Sequence, residues 1–473
     1  MRNPQETRRA RTTRRLAGVA ALAMAFVAQH AGAVTLSPHG IGQALIYPYY
    51  TVNKNQDTLV SVTNTDDVGK AIQMRFREGY NGRDTLSFVL FLAAHDTWTA
   101  SLSAAGEDQV RITTSDDSCT LPSFPPEGTN FRSAGYDGSG EIPADGGPTD
   151  FRRTREGFLE MIVGGDVVAG TATQAAITQR PNMYPPSCTI DAGSFVSDLE
   201  DSSGGIYGTS AIVDVANGTF FGYNADALAG LSPDVMFAAG NPYPGPTLAD
   251  ASSNDALHGV ARAYVETSGG AVAPISYATG IDAVSAVFMA DAIYNDYLVS
   301  DSLGAATDWV VTFPTKQFYV DSLYGNVPKP PFDHAFTNGG AEVAVTGSIF
   351  DREQTGFDFG ESCEPQCYSS LMYQTNVVAI GGFAPDFTSR VLGSELDSLA
   401  LAVNESGSAI MRLSDTSGAR VLRGTLDLPN GQDLSLHGLP VTGFMVYNIV
   451  NANAAPGVLA NYSGAFPHRR SVD

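Results

Sequence analysis

Alternation of apolar and polar residues is clearest between residues 35 and 113. It runs through the segments KAIQMRF (70–76), TLSFVLFL (85–92) and DTWTASLS (96–103). Successive side chains of a strand point to opposite faces, so a period of two predicts short strands with one apolar face. Turn signals recur roughly every ten residues, a spacing that favours a sandwich. We therefore predict an immunoglobulin-like β-sandwich over residues 34–113, made of half-buried antiparallel strands.

The composition changes at residues 114–150, which are rich in Pro, Gly, Ser and Asp. Such a run predicts a long loop. A buried strand is expected at 155–168 and a short helix at 171–180, because apolar residues return there. The chain from 151 to 473 then reads as a second, larger β-rich domain. The predicted fold class is mainly all-β, with one or two short helices.

Three segments of this second domain carry specific signals. Asn217-Gly218 lies between β-branched and aromatic residues, which predicts a hairpin over 211–223 with a type I′ turn. Apolar residues at helical spacing predict one helix over 281–298. A strand is predicted over 307–321, where Pro314 either breaks it or places it at a sheet edge.

The first 33 residues have the pattern of an export signal. Six arginines precede an apolar segment, 16–28, and Ala31-Gly32-Ala33 forms a cleavage site. The apolar segment is shorter than the roughly 20 residues that a membrane-spanning helix needs. No later segment is long and apolar enough to cross a membrane. We therefore predict an exported chain with no transmembrane segment after cleavage, located in the periplasm, on the cell surface or outside the cell.

The charge balance is strongly acidic. The chain has 27 basic and 50 acidic residues, a net charge of −23, and loss of residues 1–33 leaves 21 basic and 49 acidic residues, a net of −28. This surface repels nucleic acid and anionic lipid, so neither is an expected partner. It attracts cations, and Asp137, Asp145 and Asp150 offer hard oxygen ligands for calcium in the Asp/Gly-rich loop. Their spacing does not match an EF-hand.

Four cysteines permit three pairings in an oxidising compartment. We favour Cys119–Cys188 and Cys363–Cys367, because the second pair is local and leaves the first two for each other. A zinc site would need further N or S ligands close by, and no histidine lies near Cys363. A redox couple more often has the spacing CxxC at the start of a helix.

No catalytic motif is present: HExxH, GxSxG, SxxK and GxGxxG are all missing. Paired acids such as Glu200-Asp201 are frequent, but a glycosidase needs two carboxyls roughly 5–10 Å apart, which a sequence cannot place. Clustered tyrosines, as in IYPYYTV (46–52), bind sugars in some proteins and fill cores in others. The sequence favours a non-enzymatic surface or periplasmic protein with a structural or adhesive role. The alternatives are a carbohydrate-active or other secreted hydrolase, or a soluble sugar- or small-ligand-binding protein.

Four long segments of the chain resemble a group of known proteins, and this resemblance agrees with the predicted export. They are LIYPYYTVNKNQDTLVSVTNTDD (45–67), the run from 70 to 102, TDWVVTFPTKQFYVD (307–321), and the run from 438 to 469. They resemble a group of secreted, largely uncharacterised β-rich proteins of Gram-negative bacteria, some of them labelled as surface proteins. The resemblance spans most of the mature chain. It implies export and a surface location, and it brings no catalytic residue with it.

Overall fold

The computed structural model describes residues 32–106, 108–180, 186–267, 270–360, 369–382, 388–415, 417–451, 455, 457–458 and 460–472. Every structural statement below concerns these residues. They are mainly β, with three short α-helices. The predicted mainly all-β class is therefore confirmed. The export signal lies within 1–31, outside the described residues.

The first fourteen strands and the first helix lie between residues 35 and 229. They are β1 Thr35–Leu36, β2 Ala44–Thr51, β3 Asp57–Asn64, β4 Gly69–Glu78, β5 Asp84–Leu92, β6 Thr97–Ala105, β7 Gln109–Thr113, β8 Cys119–Leu121, β9 Thr129–Asn130, β10 Glu156–Val167, α1 Ala172–Ile177, β11 Leu199–Glu200, β12 Ile206–Asp214, β13 Thr219–Asn224 and β14 Asp226–Ala229.

The remaining strands and helices lie between residues 261 and 471. They are β15 Ala261–Glu266, β16 Val272–Tyr277, α2 Gly280–Phe288, β17 Met289–Ala290, β18 Ala292–Tyr297, β19 Ala305–Thr312, α3 Gln317–Val320, β20 Val343–Asp351, β21 Gly356–Phe359, β22 Ser369–Leu371, β23 Thr375–Gly381, β24 Asp397–Ala402, β25 Gly407–Arg412, β26 Val421–Leu426, β27 Asp433–His437, β28 Leu439–Pro440, β29 Thr442–Ile449, β30 Tyr462–Pro467 and β31 Arg469–Ser471.

Strands β1 to β14 build two sheets, which we call the first sandwich. One sheet has the order β1-β14-β2-β10-β4-β5-β8, with β11 beside β10, and the other has the order β13-β12-β3-β6-β7-β9. Their facing sides share an apolar core that includes Met74, Phe88 and Trp98, all buried. Burial of these alternate residues explains the period of two along each strand. The immunoglobulin-like topology stays a prediction.

The first sandwich draws strands from both sides of residue 113. Strand β10 lies between β2 and β4, and β12 pairs with β3. The predicted boundary at 113 therefore does not separate the strands of the two sheets. The neighbours of a strand are set by pairings far apart in sequence, and alternation within one segment carries no information about them.

Strands β15 to β31 form the second region. Its larger sheets have the orders β24-β23-β19-β29-β30 and β21-β20-β25-β18-β31, and a third sheet has the order β15-β16-β26-β27. Helix α2 packs on β15 and β16. One large core cluster contains Trp309 and Phe313 of this region together with Ile46 and Phe158 of the first sandwich. The two regions therefore share a buried apolar interface.

The predicted helix over 281–298 is wrong in its second half. Helix α2 begins after Thr279, whose hydroxyl accepts a hydrogen bond from the Asp282 backbone N–H, and it ends at Phe288. Residues 292–297 form β18, between β25 and β31. Pairing with two neighbouring strands there satisfies the backbone, and it outweighs the local helical spacing.

The hairpin at β12 and β13 is confirmed, but its type I′ turn is wrong. Asp214 pairs with Thr219, so four residues form the loop. Only Gly218 of the predicted Asn-Gly pair has a positive φ, +63°. The Asp214 carboxylate accepts hydrogen bonds from the Asn217 backbone N–H at 2.9 Å and from its side-chain amide at 2.6 Å. These side-chain bonds stabilise a longer turn.

The prediction that the strands are buried on one face only is wrong for one sheet of the first sandwich and confirmed for the other. All residues of β4 and β10 are buried on both faces, because the second region and its loops cover the side that was expected to face solvent. In the other sheet, β6 exposes alternate residues as predicted. At β19, the strand ends at Thr312 before Pro314, so the proline breaks the segment, and α3 follows.

Among the described residues, the structure contains no helix with the length and hydrophobicity needed to cross a membrane.

Candidate functional site

The predicted disulfide Cys119–Cys188 is present, with a Cα–Cα distance of 5.1 Å. It connects β8 to the segment after α1 and lies against Phe91 and Phe195 in a small apolar cluster. Cys363 and Cys367 lie outside the described residues. The first bridge therefore closes a 69-residue span of the first sandwich.

The three aspartates predicted as calcium ligands are engaged separately. Asp145 accepts hydrogen bonds from Arg153 and Asn81, Asp137 accepts one from the Ser139 backbone N–H, and Asp150 accepts one from the Arg152 backbone N–H. In the described part of the chain, no group of three or more His, Cys, Asp or Glu residues is placed to hold a metal ion. These carboxylates serve as turn and ion-pair partners in this structure.

A groove of about 900 Å³ crosses the outer face of the β6-β3-β12-β13 sheet. One row of its wall runs over four strands through Thr99, Ser61, Thr209 and Asn224, which the strand register places side by side. All four belong to the alternate positions that point away from the sandwich core. The outer face of this sheet therefore presents a row of uncharged polar groups to solvent.

The hydroxyl groups of this face are hydrogen-bonded to one another across strands. Ser61 Oγ lies 2.8 Å from Thr209 Oγ1, and Thr63 Oγ1 lies 2.9 Å from Thr97 Oγ1. A hydroxyl donates one hydrogen bond and accepts two, so each member of a pair keeps capacity for another partner. The pairing orients these groups before any ligand arrives, which lowers the entropic cost of binding.

Aromatic side chains flank the groove at the junction with the second region. Phe220 on β13 is 58% exposed and Phe466 on β30 is 50% exposed. Deeper in the groove, Tyr223 stacks on Phe444 with ring centroids 4.5 Å apart. Ser463 holds the two edge strands together: its hydroxyl accepts from the Phe220 N–H at 2.9 Å and donates to the Phe220 carbonyl at 3.0 Å. The groove is therefore built by both regions.

The groove is almost free of charge. Asp226 is the one charged residue among the described residues that line it. Its carboxylate accepts a hydrogen bond from the Thr442 hydroxyl across the junction, and burial raises the pKa of Asp226 above its ordinary value. A protein with a net charge of −23 thus has a groove with a nearly uncharged lining.

A small cavity of about 120 Å³ continues from the groove at Asp226 and Thr442. His468 and Arg470 line this cavity but not the groove. The His468 ring lies near the Val310 carbonyl, and burial lowers the pKa of His468 to about 4. The imidazole is therefore neutral near pH 7, and it adds no charge to this end of the groove.

A second cluster of polar residues lies inside the protein. We call it the charged layer, and it consists of Arg75, Arg77, Glu78, Arg83, Asp84, Arg153, Glu160 and Asp321. Arg77 Nε lies 3.0 Å from Glu160 Oε2, Arg153 Nε lies 2.8 Å from Glu78 Oε2, and Arg83 Nη2 lies 2.8 Å from Asp321 Oδ1. Its members Arg75, Arg77 and Glu160 lie on the side of β4 and β10 that was predicted to be exposed, and Asp321 extends the layer into the second region. Since each of its charges has a partner, it fits a structural connection.

A wider depression of about 1240 Å³ lies beside the loop from 122 to 142. Its lining mixes Asp84, Arg111, Glu127 and Arg132 with Pro and Gly positions of the loop. The groove on the β6-β3-β12-β13 sheet, which we call the hydroxyl groove, is the stronger candidate, because its side chains are placed by regular strands and its polar groups are arranged in one row.

The sequence contains a signal for the groove that alternation alone does not reveal. The outward positions of β6 are Thr97, Thr99, Ser101 and Ser103, where a solvent-facing strand more often carries some charged residues. The contribution of β30 could not be found in this way, because it depends on a contact between strands more than 200 residues apart. The tyrosines Tyr47, Tyr49 and Tyr50, considered as sugar contacts, are core residues.

No protein-family model matches the chain, and no curated protein matches its sequence.

Proposed function

We propose that this protein is exported and acts, without catalysis, as an adhesive protein of the cell surface or periplasm that holds a neutral glycan chain in the hydroxyl groove. The observation that carries the proposal is the groove itself: exposed Phe220 and Phe466 beside a row of oriented hydroxyls, with a single charged residue in its lining.

The chemistry of the groove matches that of a sugar chain. A sugar ring has apolar faces of C–H groups and a rim of hydroxyls. An exposed aromatic ring can cover the apolar face, and Ser, Thr and Asn side chains can exchange hydrogen bonds with the rim. An uncharged lining avoids the desolvation cost of a buried ion when the ligand displaces water. The groove volume of about 900 Å³ suits a short stretch of chain rather than one isolated ring.

The same lining argues against the hydrolase alternative. Glycoside hydrolysis needs two carboxyls on opposite sides of the scissile bond. Among the described residues that line the groove, Asp226 alone carries a carboxyl. The placement outside the cytoplasm is supported by the signal-like first 33 residues and by the resemblance to secreted proteins.

Binding is tested with protein from the exported fraction and immobilised dextran, mannan and galactan. We expect the wild type to bind at least one of these, and the double variant Phe220→Ala/Phe466→Ala to bind about tenfold or more weakly, since ring contacts of this kind contribute roughly 0.5–1.5 kcal/mol each. Phe357→Ala is the matched control, because Phe357 is 46% exposed on β21, outside the groove.

Two results would contradict the proposal. One is the absence of binding to every neutral polysaccharide tested, and the other is equal binding by the double variant and the wild type. Release of sugar fragments during incubation would favour the hydrolase instead. Fractionation of the source cells with an antibody tests the location, and we expect the protein in the envelope or medium rather than in the cytoplasm.

A further inference from the structure

Asp226 and Arg470 face the same small cavity without forming an ion pair. Thr442 occupies Asp226 Oδ2, and Oδ1 has no hydrogen-bond partner among the described residues. Arg470 makes one long contact, 3.5 Å from Nη1 to the Phe288 carbonyl, and no acid of the described residues lies within ion-pair distance of it. An acceptor and a set of donors thus border one space with unused capacity.

The cavity is large enough for a polar substituent such as a hydroxyl group, but it is too small for a whole sugar ring with its substituents. Its volume is about 120 Å³, and one water molecule occupies about 30 Å³ of the liquid. It opens onto the groove through Asp226, Thr442, Gly443 and Pro467, which line both. Substituents of a ring in the groove can therefore enter it while the ring stays outside.

A pair of adjacent hydroxyls satisfies both protein groups at once. One hydroxyl can donate to Asp226 Oδ1 and accept from the Arg470 guanidinium, and a second hydroxyl on the neighbouring carbon accepts from the further N–H groups that the guanidinium carries. A carboxylate or phosphate on the ligand would meet Arg470 but would be repelled by Asp226. An ammonium group would have the opposite conflict. The combination therefore favours an uncharged diol.

We propose that Asp226 and Arg470 are specificity-determining residues that recognise two adjacent hydroxyls of one sugar unit at the end of the groove. This rests on the proposed glycan-binding function. Thr442 is a positioning residue here, since its hydroxyl holds Oδ2 and leaves Oδ1 directed to the ligand. Asp226 accepts a hydrogen bond from the sugar and transfers no proton.

The test uses the best-bound polysaccharide of the panel, the methyl glycoside of its sugar, and monodeoxy forms of that glycoside. Asp226→Asn has nearly the same shape, but its amide cannot accept at both positions. We expect Asp226→Asn and Arg470→Met each to bind the glycoside about tenfold more weakly or worse, because hydrogen bonds to charged groups are among the stronger ones. One of the deoxy glycosides should bind wild type and Asp226→Asn equally, since the lost hydroxyl was the partner of Asp226.

The outcomes separate this inference from the proposed function. If wild type binds the polysaccharide and Phe220→Ala/Phe466→Ala does not, while Asp226→Asn and Arg470→Met bind like wild type, the recognition pair is refuted and the groove function stands. If wild type binds no member of the panel, both fail. Thermal unfolding of each variant checks its fold. Because Arg470 is exposed at the surface, Arg470→Met keeps the proposal open to refutation even if Asp226→Asn misfolds.

Discussion

The first sandwich uses charge in opposite ways on its two outer faces. The outer face of β4 and β10 carries part of the charged layer, in which Arg77 and Glu160 are buried and paired, and the buried pair Glu78–Arg153 lies at the end of β4. The face formed by β6, β3, β12 and β13 is open to solvent and carries hydroxyls. Polar residues occupy the outward positions of both sheets, yet one face is closed by its own chain and the other is left available.

Desolvation explains why the two faces differ. An ion moved from water into protein costs several kcal/mol unless it finds a partner there, so a face that is closed permanently can use ion pairs whose geometry folding sets once. A face that a ligand covers and leaves again is better built from hydroxyls, because moving a hydroxyl out of water costs less free energy than moving an ion. The charged face is therefore suited to a permanent contact within the protein, and the neutral face is the one for which we propose recognition.

The largest expected effect comes from removing one charge of the layer. Arg153→Ala leaves the carboxylates of Glu78 and Asp145 buried without their cation, and it removes the guanidinium that lies 4.4 Å from the Tyr136 ring centroid. We expect the free energy of unfolding to fall by about 3–5 kcal/mol. Urea denaturation followed by tryptophan fluorescence measures this loss.

The neighbouring residue provides the control. Arg152 pairs with Asp108 at 3.1 Å, and both side chains are largely exposed. We expect Arg152→Ala to unfold at the same urea concentration as the wild type, because exposed pairs contribute little. Equal and small effects of the two substitutions would show that this buried ion pair of the charged layer stabilises the protein no more than an exposed pair does.

The segment KAIQMRF shows which features of the fold can be predicted from the sequence and which cannot. Alternation in KAIQMRF places Met74 and Phe76 in the core and Arg75 on the opposite face, and this is confirmed. It does not show that the opposite face is buried, since the Pro246 carbonyl that accepts a hydrogen bond from Arg75 lies 171 residues along the chain. The groove has the same limitation: β6 shows its hydroxyls in sequence, whereas the contribution of β30 depends on a distant contact. A local pattern of apolar and polar residues therefore shows which side chains share one face of a strand. It does not show which distant segment covers that face.

The next effect concerns Glu156, a carboxyl at the edge of the buried face. Its oxygens accept hydrogen bonds from the Tyr49 hydroxyl at 2.7 Å, the Ser394 hydroxyl at 2.6 Å and the Glu395 backbone N–H at 2.7 Å. No cation of the described residues pairs with it. Burial, the largest influence, raises the pKa of Glu156 from 4.5 to about 7, although these hydrogen bonds act to lower it.

The direction of the pH effect follows from that shift. The folded state holds the proton more tightly than the unfolded state, so the stability due to Glu156 is fully present below pH 4.5 and is lost as the pH rises to about 7. The difference in unfolding free energy between wild type and Glu156→Gln should change by up to about 3 kcal/mol across this window. Urea denaturation at half-unit pH steps measures it. A difference that stays constant with pH would show that Glu156 does not titrate in this range.

The smallest expected effect is on the neutral face, where salt should change almost nothing. Binding that depends on charge weakens as ions screen it, over a distance of about 10 Å at 0.1 M salt and 3 Å at 1 M. A neutral glycan held by aromatic rings and hydroxyls carries no charge for salt to screen, and the contacts that we propose with Asp226 and Arg470 are hydrogen bonds to uncharged hydroxyls. We therefore expect the dissociation constant for the best-bound polysaccharide to change less than about twofold between 0.1 and 1 M sodium chloride, measured by calorimetry.

Arg153→Ala is the control: if it is folded, it should behave as wild type in this assay, because its charge belongs to the buried charged layer. A steep loss of affinity with salt would mean that an anionic or cationic ligand is bound instead, and the contrast between the two faces would no longer distinguish structure from recognition.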